Sequence, residues 1–145
     1  KNTTIIDDTY NSSPIATKVA LQTLGSVDTT GRKIAVLGDM LELGEFSAKL
    51  HTELDGPLLE GGVDIVLLAG PEIEVLRARL DGALHVEHFP TTDDLMPVLF
   101  RTVKAGDVVM IKSSNGIGFS RLVKALLEKH AAAGGLQQQK VGVSG

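Results

Sequence analysis

The strongest constraint on how this chain folds is an alternation. Five short apolar runs are each followed by a stretch with helical period. The runs are Ile5-Ile6, Ile34-Ala35-Val36-Leu37, Ile65-Val66-Leu67-Leu68, Leu84-His85-Val86-Glu87 and Val108-Val109-Met110-Ile111. The second, third and fifth are continuously apolar, which suits strands covered on both faces. Strands that alternate with helices build an α/β sandwich around a mainly parallel sheet. The expected architecture is α/β: a three-layer, Rossmann-like sandwich whose mainly parallel sheet has about five or six strands. The 145 residues fit one domain, since domains commonly run about 100–200 residues.

The intervening helices carry start and stop signals. Ser13 is placed to N-cap the first, Pro14 takes its first position and Gly25 closes it. Its expected apolar stripe is Ile15, Val19, Ala20 and Leu24. A second helix is expected from Ser47 to Leu59, with a break at Gly56-Pro57. A third carries Ile73, Leu76 and Leu80. A fourth carries Leu95, Val98, Leu99 and Val103, with Asp93 and Asp94 at its positive N-terminal end. Pro97 fits that helix only in its first turn. The last helix carries Phe119, Leu122, Val123, Leu126 and Leu127. The domain is therefore expected over 1–134. Residues 135–145, rich in Gln, Gly and Ser and without period, read as a disordered tail.

Several functions are disfavoured. With no cysteine there is neither a disulfide nor a thiolate zinc site. A net charge of −4 argues against a nucleic-acid or anionic-membrane surface. No apolar run approaches the roughly 18 residues of a membrane span, and no signal peptide opens the chain. No Gly-x-x-x-x-Gly-Lys-Ser/Thr phosphate loop is present, nor a Gly-x-Gly-x-x-Gly after a strand. The chain starts without methionine and enters a strand almost at once, so it reads as a piece of something longer.

In an open parallel sheet, ligands bind outside the carboxyl ends of the strands. Strand one ends in Asp7-Asp8-Thr9-Tyr10-Asn11, strand two in Gly38-Asp39-Met40-Leu41-Glu42-Leu43-Gly44, and strand five in Lys112-Ser113-Ser114-Asn115-Gly116. Strands three and four end in Gly70-Pro71 and Phe89-Pro90, which promise little chemistry. Asp7, Asp8 and Asp39 are either ligands or turn residues. Lys112 is either an anion ligand or a snorkelling lysine. His51 lies within a helix and reads as a satisfied structural histidine. His85, His88 and His130 show no metal-ligand spacing, and no Ser-His-Asp constellation is present.

Two families place polar residues on this edge. A phospho-acceptor receiver matches at Asp7-Asp8 and Lys112 but lacks its central aspartate after strand three, where Gly70-Pro71 stands. The second match is closer. Asp7-Asp8-Thr9-Tyr10-Asn11-Ser12-Ser13-Pro14 resembles the Asp-Asp-x-Tyr-Asn-Ala-Asn-Pro motif of the peptidoglycan Mur ligases. Leu37-Gly38-Asp39-Met40-Leu41-Glu42-Leu43-Gly44, with Ser47 and His51 after it, resembles the Gly-Asp-Met-x-Glu-Leu-Gly and Ser-x-x-x-His motifs of one branch of that family. That branch joins D-alanyl-D-alanine to UDP-N-acetylmuramoyl-tripeptide. The chain departs from the pattern at Ser13, at Ser113 and Asn115 within Lys112-Ser113-Ser114-Asn115 (for Lys-Gly-Ser-Arg), and at Phe119-Ser120 (for Met-Glu).

The resemblance implies the carboxyl-terminal domain of a three-domain cytoplasmic ligase. An N-terminal UDP-binding domain holds the sugar peptide, and a central ATPase domain holds the phosphate loop and Mg2+, which accounts for the missing glycine-rich cradle. The reaction is ATP-driven amide formation: the substrate carboxylate is phosphorylated, the dipeptide amine attacks it, and phosphate leaves. The implied ATP contacts are Asp8, Tyr10 and Asn11. The implied contacts to the peptide and dipeptide substrates are Asp39, Glu42, Lys112 and Ser114. No catalytic residue, metal ligand or tightly bound ATP or Mg2+ is expected in this domain alone, and no nucleic-acid partner. The alternative is a receiver-like or nucleotide-independent interaction module on the same fold.

Overall fold

The computed structural model describes residues 3–8, 13–112, 119–132 and 136–140. Every apolar run becomes a strand. They are β1 (Thr3–Asp8), β2 (Lys33–Gly38), β3 (Ile65–Ala69), β4 (His85–Phe89) and β5 (Val108–Lys112), with a sixth, β6 (Leu136–Lys140). All pair in parallel, in the order β4-β3-β2-β5-β1-β6.

Side-chain alternation divides the core into two layers. Ile6, Ala35, Leu37, Val66, Leu68 and Met110 face one side, where α1 (Pro14–Ser26), α2 (Ser47–Thr52), α3 (Asp55–Glu60) and α4 (Glu74–Leu80) supply Leu21, Leu24, Leu58, Leu76 and Leu80. Ile5, Ile34, Val36, Leu67, Val109 and Ile111 face the other, covered by α5 (Thr92–Thr102) and α6 (Phe119–Ala132) through Leu95, Leu99, Leu122 and Leu126. The three-layer α/β expectation holds.

Five local expectations are corrected. In α1, Ser13 does cap the helix, its hydroxyl accepting from the Ala16 amide at 3.1 Å. The buried face, however, is Ala16, Thr17, Ala20, Leu21 and Leu24, whereas Ile15 and Val19 are 78% and 53% exposed. The two candidate stripes are offset by about one residue, and the position of the sheet decides between them. Gly25 does not end the helix, which runs to Ser26. It instead lets α1 approach α3, since a Cβ on Gly25 would sit 2.7 Å from the Gly61 Cα. Lys33 Nζ then donates to the carbonyl of Gly25 at 2.6 Å and of Gly61 at 3.4 Å, placing a cation at the negative ends of both helices.

The second helix breaks at Glu53-Leu54 rather than at Gly56-Pro57, and Pro57 is absorbed into the first turn of α3. A 3-10 turn, Gly44–Phe46, precedes α2. In α5, Thr91 is the N-cap, its hydroxyl accepting from the Asp94 amide at 3.2 Å. The helix thus begins early enough to leave Pro97 in its second turn, on the exposed face. Finally, 136–140 is not a tail but the edge strand β6, paired with β1 from Thr3↔Leu136 to Asp7↔Lys140. An edge strand is held by backbone pairing along one side, so Leu-Gln-Gln-Gln-Lys can form one without an apolar alternation. Residues 133–135 and 141–145 lie outside the described set.

Candidate functional site at the carboxyl edge of the sheet

The strand order gathers the three polar exits. β2, β5 and β1 are consecutive in space, although the sequence separates them widely. Their connections leave toward opposite faces. β1 and β2 are followed by helices of one layer and β5 by α6 of the other, the arrangement at which open α/β sheets receive ligands outside the strand ends. Register sets Asp8 opposite Lys112, and Leu37, at the end of β2, opposite Lys112 on its other side. Tyr10, Asn11, Ser114 and Asn115 lie outside the described residues.

Lys112 is 1% exposed. The snorkelling alternative is thereby excluded, since that requires the ammonium in water.

Asp39 and Glu42 part company. Asp39 is buried, and its Oδ1 accepts the Ile73 amide hydrogen at 2.8 Å, satisfying the turn that opens α4. Glu42 is exposed and lies in the left-handed region at φ 63°. That conformation strains a residue with a Cβ and persists only where the surroundings enforce it. Leu41 and Phe46, 43% and 58% exposed, flank it on the same loop.

The exits of β3 and β4 were expected to be bland, and this is corrected. They line a crevice of about 250 Å³, walled by Ala69, Gly70, Pro71, Pro90, Thr91 and Thr92, with Asp39 entering from β2. α4 and α5 leave these two strands toward opposite layers, so this too is a switch point. The sequence hid the crevice because its carboxylate comes from another strand. His88 Nε2 lies 2.6 Å from the Gly70 carbonyl and fixes the rim.

His51 is fully buried, as expected of a structural histidine, and both ring nitrogens are bonded. The Met40 amide donates to Nε2 at 2.8 Å. Nε2 therefore carries the lone pair, and Nδ1 carries the hydrogen, which it donates to the Ser47 carbonyl at 2.8 Å. The Ser47 hydroxyl donates to Glu72 Oε1 at 2.6 Å. Glu72 was not anticipated, and no local pattern marks it. Among the described residues, no group of three or more His, Cys, Asp or Glu side chains is arranged to hold a metal. No helix among them is long and apolar enough to cross a membrane.

Residues 1–115 match the family model for the Mur ligase glutamate ligase domain. The chain is 34% identical over 131 residues to the UDP-N-acetylmuramoyl-tripeptide–D-alanyl-D-alanine ligase of Bacillus subtilis, covering 86% of this chain and 28% of that protein. It is 27% identical to the ligase of the same name from Escherichia coli, again covering 28% of its length. Among solved structures it resembles the MurF ligase of Thermotoga maritima in complex with ADP, at 30% identity and a TM-score of 0.71, over 89% of this chain and 29% of that one. The chain thus spans under a third of the length of each of these three relatives.

Proposed function

The chain belongs to the Mur ligase family through its glutamate ligase domain, and from that premise we propose that it is the carboxyl-terminal domain of an ATP-dependent ligase. The proposed reaction adds D-alanyl-D-alanine to UDP-N-acetylmuramoyl-tripeptide in peptidoglycan synthesis, in the cytoplasm. The observation that carries the reading is spatial. The two motif-bearing strands, β1 and β2, flank β5 in the sheet, so their carboxyl ends stand on either side of Lys112 at one edge.

In this reading the domain binds, orients and shields. Asp8, Tyr10 and Asn11 meet the nucleotide, with the Asp8 carboxylate accepting from the ribose hydroxyls. Asp39 and Glu42 meet the ammonium of the dipeptide, and Lys112 and Ser114 meet a substrate carboxylate. ATP supplies the activation of the substrate carboxyl as an acyl phosphate. Amide formation then depends on holding amine and carbonyl in line and keeping water out. A domain closing over its neighbours does both. The phosphates and Mg2+ are assigned to the central domain, and the UDP-sugar to the N-terminal one.

Calorimetric titration of ATP into the full-length ligase tests the nucleotide assignment. Asp8→Ala is expected to weaken binding about tenfold, the value of one charge-assisted hydrogen bond. Unchanged affinity overturns it. The 145-residue chain alone, given ATP, Mg2+, UDP-tripeptide and dipeptide, is expected to release no phosphate. Turnover by it overturns the fragment reading.

A further inference from the structure

Four hydrogen bonds close a ring between the exits of β2 and β3. The Met40 amide donates to His51 Nε2, His51 Nδ1 donates to the Ser47 carbonyl, and the Ser47 hydroxyl donates to Glu72. The next residue, Ile73, donates its amide to Asp39 Oδ1, and Asp39 is bonded through the chain to Met40. His51 and Ser47 are 0% and 7% exposed, and Asp39 is 4% exposed. Glu72 is exposed and its bond to Ser47 is only partly buried, whereas the two His51 bonds and the Asp39 bond are buried, where such bonds are strengthened.

The ring sits where two functional-looking features meet. On one side it borders the crevice walled by Asp39, Gly70 and Pro71. On the other it anchors the first residues of the loop that carries Glu42 at φ 63°. Of the ring's side chains, only Asp39 lines the crevice. His51 bonds to the β2 exit through the Met40 amide and does not line the crevice, so its effect on a ligand there passes through the loop.

We propose that His51 is a positioning residue for the acceptor amine: with Ser47 and Glu72 it ties the β2 exit to the β3 exit and so holds Asp39 on the crevice wall and Glu42 in its strained turn. This rests on the reading that Asp39 and Glu42 meet the dipeptide. His51 acts in the neutral form with hydrogen on Nδ1, because a hydrogen on Nε2 would oppose the Met40 amide.

The test uses the full-length ligase and two isosteric variants. His51→Asn retains a donor near the Nδ1 position but loses the Nε2 acceptor. His51→Gln retains an acceptor near the Nε2 position. In His51→Asn, amide exchange at Met40 and at Ile73 is expected to rise together, and the KM for the dipeptide to rise about tenfold for a lost buried bond. The kcat and the KM for ATP are expected to hold. His51→Gln is expected to restore both exchange and KM. Acceleration at Met40 with Ile73 unaffected shows that the ring does not transmit and overturns the proposal. So does failure of His51→Gln to restore the KM. Asp39→Asn separates the two claims. An unchanged dipeptide KM in that variant overturns the reading of the acceptor side. A raised KM there with a wild-type KM in His51→Asn overturns the positioning role alone.

Discussion

The Asp39 carboxylate fills the space in which a side chain on residue 70 would stand: a Cβ built on Gly70 meets the Asp39 carboxyl carbon at 2.5 Å. Gly70 also has φ 118°, a conformation that side chains resist. Both facts serve one end, which is to let a carboxylate from β2 lie against the exit of β3 and reach the Ile73 amide. Gly70→Ala is therefore expected to destabilise the domain by about 1–3 kcal/mol through backbone strain alone. Urea unfolding measures this, and loss of amide protection at Ile73 marks displacement of Asp39.

A second prediction concerns the opposite end of the sheet. Arg32 grips Asp107 through Nε at 3.1 Å and Nη2 at 2.7 Å, and Nη2 also donates to the Thr102 carbonyl at 2.7 Å. Asp107 accepts the Lys104 amide as well, at 2.8 Å. Hydrogen bonding to Asp107 raises the Arg32 guanidinium above the usual arginine value. A raised folded-state value stabilises below the unfolded value and is lost only as pH climbs through the folded one. On the Arg32 side the contribution is therefore constant across the neutral range. Asp107→Ala is expected to cost about 1–3 kcal/mol, with the Lys104 amide left without its partner. Thermal melts at mildly acidic and mildly alkaline pH should show the same loss.

The rotated face of α1 separates cleanly by mutation. Replacing Ile15 and Val19 with serine is expected to shift stability by no more than about 0.5 kcal/mol, as for exposed sites generally. Leu21→Ala, at a fully buried position, is expected to cost about 2–5 kcal/mol. Equal losses would restore the stripe expected from sequence.

Pro97 stands on the exposed side of α5, one turn too late for a proline without cost. Pro97→Ala restores an amide donor to the helix ladder. A gain of about 1–2 kcal/mol is expected, below the roughly 3 kcal/mol of an unaccommodated interior proline because the unfolded chain also gains freedom. Denaturant unfolding with an unchanged slope reads the gain.

These contrasts show what a sequence can carry. Ile34–Leu37, Ile65–Leu68 and Val108–Ile111 announce their strands because burial on both faces demands unbroken apolar runs. The exits of β1, β2 and β5 announce themselves because polar residues directly after such runs stand out. The face of α1 was not legible. Ile15-Val19 and Ala16-Leu21 both have helical period, and only the sheet chooses between them. β6 was silent because edge pairing uses backbone groups. The crevice at the β3 and β4 exits and the His51 ring were silent for another reason. They join residue 39 to residues 70–73 and 51 to 40, and each member taken alone is an ordinary turn or helix residue.

The place of β1 within the sheet bears on the order in which the chain can assemble. Ile5 pairs with Val109 on one side and Gln138 on the other, so the earliest strand of this domain is among the last to find its neighbours. At a synthesis rate of about 5–20 residues per second, Ile5 and Ile6 wait on the order of ten seconds for β5 to exist. Meanwhile β2, β3 and β4 follow one another along the chain and lie side by side, so they can pair as they emerge. Contacts so distant in sequence slow folding. The β1 side of the sheet, where the nucleotide is assigned, is thus expected to form last, after the Asp39 side is already in place.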